Sequence, residues 1–159
     1  MQRITPFLWF NNQAEEAASY YVSAFKNARV VTIARYGKEG AAASGQIEGS
    51  AMTVAFELDG QKFVALNGGP HFKINEAVSF VVNCESQDEI DHYWDNLAAG
   101  GDRAAQRCGW LKDKFGVSWQ IVPTNLPQWM TGGNAGKVMQ ALLQMGKLDI
   151  ATLQRAHNS

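Results

Sequence analysis

The sequence predicts an α+β fold made of two paired βαβββ modules, which form a curved mixed sheet with helices on its outer side. The main observation is an internal repeat. The same order of features, an apolar run followed by a helix cap and an amphipathic pattern, occurs twice. It occupies residues 4–25 (ITPFLWFNNQAEEAASYYVSAF) and again residues 78–97 (VSFVVNCESQDEIDHYWDNL). The two copies keep a constant spacing of 74 residues, as shown by the pairs Thr5–Ser79, Asn12–Ser86 and Tyr20–Trp94. The second observation is that strand-like runs follow each copy. A pseudo-symmetric sheet of this kind encloses a site between the copies.

The length of 159 residues predicts one domain, 1–159, which can bury roughly 70% of its unfolded surface. Within it we expect a first βαβββ module at 4–67 and a second βαββ(β) module at 77–123. A C-terminal helical extension is expected at 126–159.

Composition and charge exclude several functional classes. The chain is 46% hydrophobic and 18% charged, with a formal net charge of −1 and both signs interspersed, so we expect no nucleic-acid partner. It has no apolar run long enough for a membrane span and no leader-like start, so we expect no membrane partner and a cytoplasmic location. Cys84 and Cys108 do not form a CxxC pair and are predicted to be free thiols.

The first module begins with an apolar strand at 4–10. Asn12 is predicted to cap the following helix, with Glu15 completing a capping box, and β-branched residues predict a strand at 28–36.

A glycine- and alanine-rich stretch at 37–49 has no periodic apolar face and is predicted to be a mobile loop or an arm that reaches a partner. Strands at 52–58 and 61–67 flank Asp59-Gly60, which is a strong hairpin signal.

In the second module Ser86 is predicted to cap the helix together with Glu89, and Gly100-Gly101 ends it. Strands are predicted at 106–112 and 117–122. Beyond Pro127 the apolar spacing predicts two short helices.

Several segments of the chain resemble one known family. The quoted run at 4–25, the segments LNGGPHFKINEAVSFVVNCES and CGWLKDKFGVSWQIVP, and the tail MQALLQMGKLDIATLQRA are similar to PhnB-like proteins, often described as 3-demethylubiquinone-9 3-methyltransferase domains. The two modules resemble the vicinal oxygen chelate superfamily, which includes glyoxalase I, bleomycin-resistance proteins and extradiol dioxygenases. The closing hairpin Asp113–Gln120 stands where that superfamily commonly has Asp-Pro-x-Gly-Asn-x-x-Glu. No glycine-rich strand-to-helix turn accompanies these segments, so methyl transfer with an adenosyl cofactor is not supported.

The resemblance also implies a location for the site. Metal-dependent members take His and Glu ligands from the first and last strands of both modules. The matching positions here are Thr5, Ser79 and Gln120, together with Val64 or, with a different hairpin register, Leu66 or Asn67. None of these side chains is a usual transition-metal ligand, so we expect no metal.

The predicted cavity has apolar walls and a few polar groups that would orient a ligand. Its expected ligand-binding residues are Thr5, Phe7, Trp9, Asn67, His71, Ser79, Trp110, Ser118 and Gln120. His92 and His157 are expected to lie on the surface, and Gln120 is equally open to a structural role as a buried amide.

Three hypotheses for function remain. The first is a protein that binds a small organic molecule without a catalytic metal. The second is an enzyme of the lyase, isomerase or dioxygenase type, using non-standard metal ligands, His71 or Cys108. The third is a resistance protein that sequesters a drug. Because no pair of facing carboxylates is predicted, the first and third are favoured. We expect no cofactor and a homodimer, and the sequence leaves open whether there is any catalysis.

Overall fold

Seven β-strands and six α-helices form within residues 2–159, which are the residues that this computed structural model describes. The strands are β1 Phe7–Phe10, β2 Ala28–Arg35, β3 Ala51–Leu58, β4 Gln61–Asn67, β5 Ser79–Cys84, β6 Trp110–Lys112 and β7 Ser118–Pro123. The helices are α1 Ala14–Ala24, α2 Lys38–Ser44, α3 Gln87–Ala98, α4 Leu126–Trp129, α5 Ala135–Leu142 and α6 Ile150–Asn158. The predicted α+β class is confirmed. None of these helices is long and apolar enough to cross a membrane.

The chain divides into two compact units, Met1–Ile74 and Asn75–Ser159. The first contains a mixed sheet with the strand order β1-β4-β3-β2, in which β1 and β4 are parallel and the other pairs antiparallel. Helix α1 covers one face of this sheet. Its buried residues are mostly alanines, whose small side chains let the helix approach the strands closely, and Tyr21 stacks on Phe56 with ring centroids 6.0 Å apart.

The β3–β4 hairpin follows the sequence prediction. Asp59 and Gly60 both have positive φ angles, 49° and 82°, as expected of a tight turn whose twist matches that of the strands. The register runs from Leu58 opposite Gln61 to Thr53 opposite Leu66.

The predicted start of helix α1 is wrong. The helix begins at Ala14 rather than directly after Asn12, and neither Asn12 nor Gln13 caps it with a side chain. The amide of Ala14 instead donates a hydrogen bond of 2.8 Å to Oδ1 of Asn67, at the end of β4. A sheet residue 53 positions away therefore fills the role that the sequence assigned to a local cap.

The stretch predicted as a loop at 37–49 contains a short helix, α2. Its alanines favour helix even without a wide apolar face, and only Ala41 among its residues is buried. The helix ends at Gly45, whose φ of 74° is the left-handed conformation in which helices commonly stop.

The second unit has a smaller mixed sheet with the order β5-β7-β6, in which β5 and β7 are parallel and β6 and β7 antiparallel. Helix α3 buries Ile90, Trp94 and Leu97, which recur at helical spacing along one face. The Ser86 cap is confirmed, because its hydroxyl accepts a hydrogen bond from the amide of Glu89 at 3.2 Å.

Strand β6 is shorter than the predicted strand at 106–112. Cys108 and Gly109 both have positive φ, 54° and 86°, which breaks the extended conformation before Trp110. Their amides donate to the carbonyls of Met145 and Gly146 at 2.8 and 2.9 Å. The chain is thus fastened to the C-terminal segment at the point where a regular strand was expected.

The C-terminal segment forms three helices, α4 to α6, rather than the two predicted. They enclose a small apolar cluster with the end of β7, and its buried members are Val122, Trp129, Val138, Leu142, Leu148 and Leu153. His157 also belongs to this region, which corrects its assignment to the surface. Its ring lies 6.0 Å from that of Trp129, and its Nδ1 is buried without a hydrogen-bond partner among the described residues.

Candidate functional site

One face of the second unit's sheet carries several of the predicted site residues in adjacent positions. Ser79 pairs with Ser118 across β5 and β7, and Ser118 pairs with Lys112 across β7 and β6. In the next row Gln120 lies between Val81 and Trp110. Because side chains alternate along a strand, these two rows project from the same face, opposite to the one that packs on α3.

Ser79 and Gln120 form a polar pair on this face. The Nε2 of Gln120 donates a hydrogen bond of 2.9 Å to the hydroxyl of Ser79, and both residues are half-buried. The amide therefore has a partner within the protein, while its carbonyl oxygen and the serine proton are the atoms with which the pair can orient a ligand.

The β6–β7 hairpin that carries Gln120 is closed by Asp113. This residue is only 2% exposed. Its Oδ1 accepts from the amides of Phe115 and Val117 at 2.8 and 3.0 Å, and its Oδ2 accepts from the indole nitrogen of Trp119 at 2.9 Å. A buried carboxylate with several donors fixes the turn and hence the register of β7 against β6.

A cleft of about 470 Å³ opens beside β6. Its lining residues are Glu76, Ala105, Arg107, Cys108, Trp110, Leu111, Lys112 and Ser118. This volume is in the range of small-molecule sites. Two of the predicted residues, Trp110 and Ser118, line it. The contribution of Arg107 was missed, because residues 106–112 were expected to be a regular strand.

In the first unit, the sheet face away from α1 carries exposed aromatic residues. Phe7 is 61% exposed. Trp9 is half-buried, donates its indole N–H to the carbonyl of Gly69 at 3.0 Å and meets Phe72 edge-on with ring centroids 4.9 Å apart. Gly68 is required beneath this ring, since a Cβ there would lie 2.2 Å from Cζ2 of Trp9. Trp9 is therefore held in place by its surroundings.

The other predicted site residues of the first unit differ in exposure: two lie on the surface and one is buried. Thr5 precedes β1 and is exposed, and His71 is exposed in the loop after β4. Asn67 is 7% exposed and has a structural role, because its Oδ1 caps helix α1 and its Nδ2 donates to the carbonyl of Ala51 at 3.1 Å. Asn67 points to the α1 side of the sheet, whereas Phe7 and Trp9 lie on the opposite face. The structure therefore separates Asn67 from these two predicted site residues.

Strand register identifies which positions of the two units are equivalent. Phe7 pairs with Val64 across the parallel strands of the first unit, and Val81 pairs with Gln120 across those of the second. Phe7 and Val81 are 74 residues apart, which is the spacing of the sequence repeat. Val64, rather than Leu66 or Asn67, is therefore the counterpart of Gln120.

These equivalent positions do not fit a transition-metal site. A valine and an amide stand where imidazole or carboxylate ligands are needed, and the amide nitrogen of Gln120 is bonded to Ser79. Among residues 2–159, no three His, Cys, Asp or Glu side chains lie close enough together to hold a metal ion.

An adenosyl cofactor bound at a glycine-rich turn does not fit either. The turns that lead from the parallel strands into helices are residues 11–13, Asn-Asn-Gln, before α1, residues 85–86, Glu-Ser, before α3, and residues 124–125, Thr-Asn, before α4. None of them contains a glycine, so the backbone cannot offer the close approach that such cofactors use.

Comparison with known proteins identifies the class of the fold. Solved structures that resemble the chain include a fosfomycin resistance protein, FosX, of Listeria monocytogenes, which is 13% identical, with 82% of this chain and 98% of that chain aligned at a TM-score of 0.54. A protein of Pseudomonas aeruginosa is 21% identical over 77% of this chain and 98% of its own, with a TM-score of 0.60. These likenesses concern the fold, which is that of the vicinal oxygen chelate proteins.

The family is shown by nearer matches. The family model described as 3-demethylubiquinone-9 3-methyltransferase matches residues 2–122. The PhnB protein of Bacillus cereus, which carries the same methyltransferase description, is 36% identical, with 77% of this chain and 99% of that chain aligned at a TM-score of 0.65. The chain belongs to this PhnB-like family. No curated protein matches it.

Proposed function

We propose that this protein binds a small organic molecule in the cleft beside β6 and that it does so without a resident metal. The observation that carries the proposal is the cleft itself, which combines the apolar surface of Trp110 with the hydroxyl of Ser118. Apolar walls supply affinity and a few fixed polar groups orient the ligand. Ser79 and Gln120 extend the polar side, since Ser79 neighbours Ser118 in the sheet.

The test is a thermal-melt screen of the purified protein with small aromatic, lipid-like and antibiotic compounds, and fosfomycin is included because FosX has the same fold. A ligand at about 100 times its Kd adds roughly 2.7 kcal/mol to the free energy of unfolding. For a chain of this size that raises Tm by about 5–10 °C. We expect at least one compound to reach this shift, with its affinity confirmed by calorimetry.

Two matched variants locate the site. Trp110→Ala removes the aromatic wall of the cleft, whereas Phe72→Ala removes an exposed aromatic ring from the first unit. We expect the first to abolish the shift and the second to retain it. Loss with Phe72→Ala alone would assign binding to the aromatic face of the first unit and contradict the proposal.

The metal-dependent alternative is tested by melts with a chelator and with excess Mn, Fe(II), Ni or Zn. The proposal predicts no specific shift with any of them. A shift of several degrees that disappears in Gln120→Ala would show that the amide is a ligand and would overturn the metal-free part of the proposal.

The expected homodimer is a separate proposal. Light scattering coupled to gel filtration should give a mass twice that of the 17.5 kDa chain, and a monomer mass would reject it.

A further inference from the structure

Two cationic side chains line the same cleft on either side of Trp110. Arg107 precedes the tryptophan and Lys112 follows it. Arg107 is exposed, and within residues 2–159 its guanidinium has neither an ion pair nor a hydrogen bond. An unpaired arginine in a concave site is available to a ligand.

The backbone of Arg107 is firmly positioned. Its amide donates to the carbonyl of Trp110 at 3.1 Å and its carbonyl accepts from the amide of Trp110 at 2.8 Å. The next residue, Cys108, is fastened to Met145. The side chain of Arg107 therefore extends from a fixed point of the backbone beside β6.

Lys112 already binds a carboxylate in the cleft. Its Nζ lies 3.0 Å from Oε2 of Glu76, and the side chain of the lysine is 29% exposed against 69% for the glutamate. The pKa of Glu76 is lowered by a backbone hydrogen bond at its own position and by its contact with Lys112. An exposed ion pair of this kind is weak, so another anion can exchange with Glu76.

We propose that the ligand of this cleft carries an anionic group, a carboxylate or phosphate, on an apolar and preferably aromatic body. Arg107 binds the anionic group with its guanidinium, and Lys112 binds it after exchange with Glu76. The apolar body lies against Trp110. This inference rests on the proposed function and specifies the chemistry of its ligand.

The experiment compares two probes of the same shape by titration calorimetry, naphthoate and the neutral naphthalenemethanol. A single charge-assisted contact corresponds to about a tenfold difference in Kd. We therefore expect naphthoate to bind at least tenfold more tightly, with an affinity that falls as salt is added. Phenyl phosphate, titrated in parallel, shows whether phosphate is accepted as well as carboxylate.

Three variants change the charges of the cleft, and a fourth is the control. Arg107→Gln and Lys112→Gln should each weaken naphthoate about tenfold, whereas Glu76→Gln should strengthen it by freeing the lysine. Arg103→Gln removes an exposed arginine of the same unit that does not line the cleft, and should change nothing. The affinity for naphthalenemethanol should be the same in all four variants, and circular dichroism checks that each is folded.

The outcomes separate the two claims. Equal binding of both probes, or naphthoate binding that Arg107→Gln leaves unchanged, would overturn the anion inference and leave the proposed function intact. If neither probe nor any compound of the wider screen binds, the proposed function fails and the inference fails with it.

Discussion

The buried carboxylate of Asp113 offers a direct test of how the site is held together. Asp113→Asn keeps the shape of the side chain and can keep the two bonds from backbone amides to Oδ1. It places an NH₂ group opposite the indole N–H of Trp119, so that two donors face each other where Oδ2 now accepts at 2.9 Å. Leaving a buried donor without an acceptor costs roughly 1–3 kcal/mol.

We therefore expect Asp113→Asn to lower the free energy of unfolding by about 2 kcal/mol and Tm by about 4–8 °C. Asp113→Ala removes all three bonds and should cost roughly 3–5 kcal/mol. The assay is urea unfolding followed by tryptophan fluorescence and circular dichroism together, so that a single transition can be verified. Asp88→Asn, which changes an exposed aspartate of the same unit, is the control and should stay within about 0.5 kcal/mol.

A double-mutant cycle isolates the bond to the indole. Trp119→Phe removes the donor, and the double variant should be more stable than the sum of the single losses predicts, by about 1–2 kcal/mol. A loss below about 0.5 kcal/mol in Asp113→Asn, or a coupling near zero, would refute the reasoning that the carboxylate closes this hairpin.

Two further predictions concern the rest of the core. Asn67→Ala should cost roughly 2–3 kcal/mol in urea unfolding because it removes a helix cap and a buried bond, whereas Asn12→Ala, at the position that does not cap, should be almost neutral. Burial, with a smaller effect from the charge of Glu89, raises the pKa of the Cys84 thiol from 9.0 to about 12. The unfolded thiol loses its proton first, so stability should fall as pH rises from 9, by about 1.4 kcal/mol at pH 10, and Cys84→Ala should abolish this part of the pH dependence.

Features that depend on local chemistry could be predicted from the sequence. The turn at Asp59-Gly60 and the cap at Ser86 each require only a few neighbouring residues, and both are confirmed. The 74-residue repeat predicted the paired modules because it reflects a repeated strand-and-helix pattern, and the strand register of the two units follows it.

Features that depend on distant contacts could not be predicted. Asn67 caps a helix that begins 53 residues earlier in the chain, so no local pattern marks its role. The positive φ of Cys108, a residue that usually avoids this conformation, is supported by bonds to the C-terminal segment. The position of Arg107 in the cleft depends on that break, and for this reason the sequence did not indicate it.

The two copies of the repeat have kept the same backbone pairing but differ in chemistry. In the first, Phe7 and Val64 are apolar at the paired positions, and the polar side chain at the end of the strand, Asn67, is used to cap a helix. In the second, Val81 is opposite Gln120, which is bonded to Ser79 and lies next to a cleft with cationic side chains. Backbone pairing requires only extended strands, so an apolar residue in one copy can be a polar residue in the other without changing the pairing. Ligand recognition, in contrast, depends on the side chains. The polar contacts to a ligand are therefore expected from the second unit, and this is the reason for directing the charge-changing variants there.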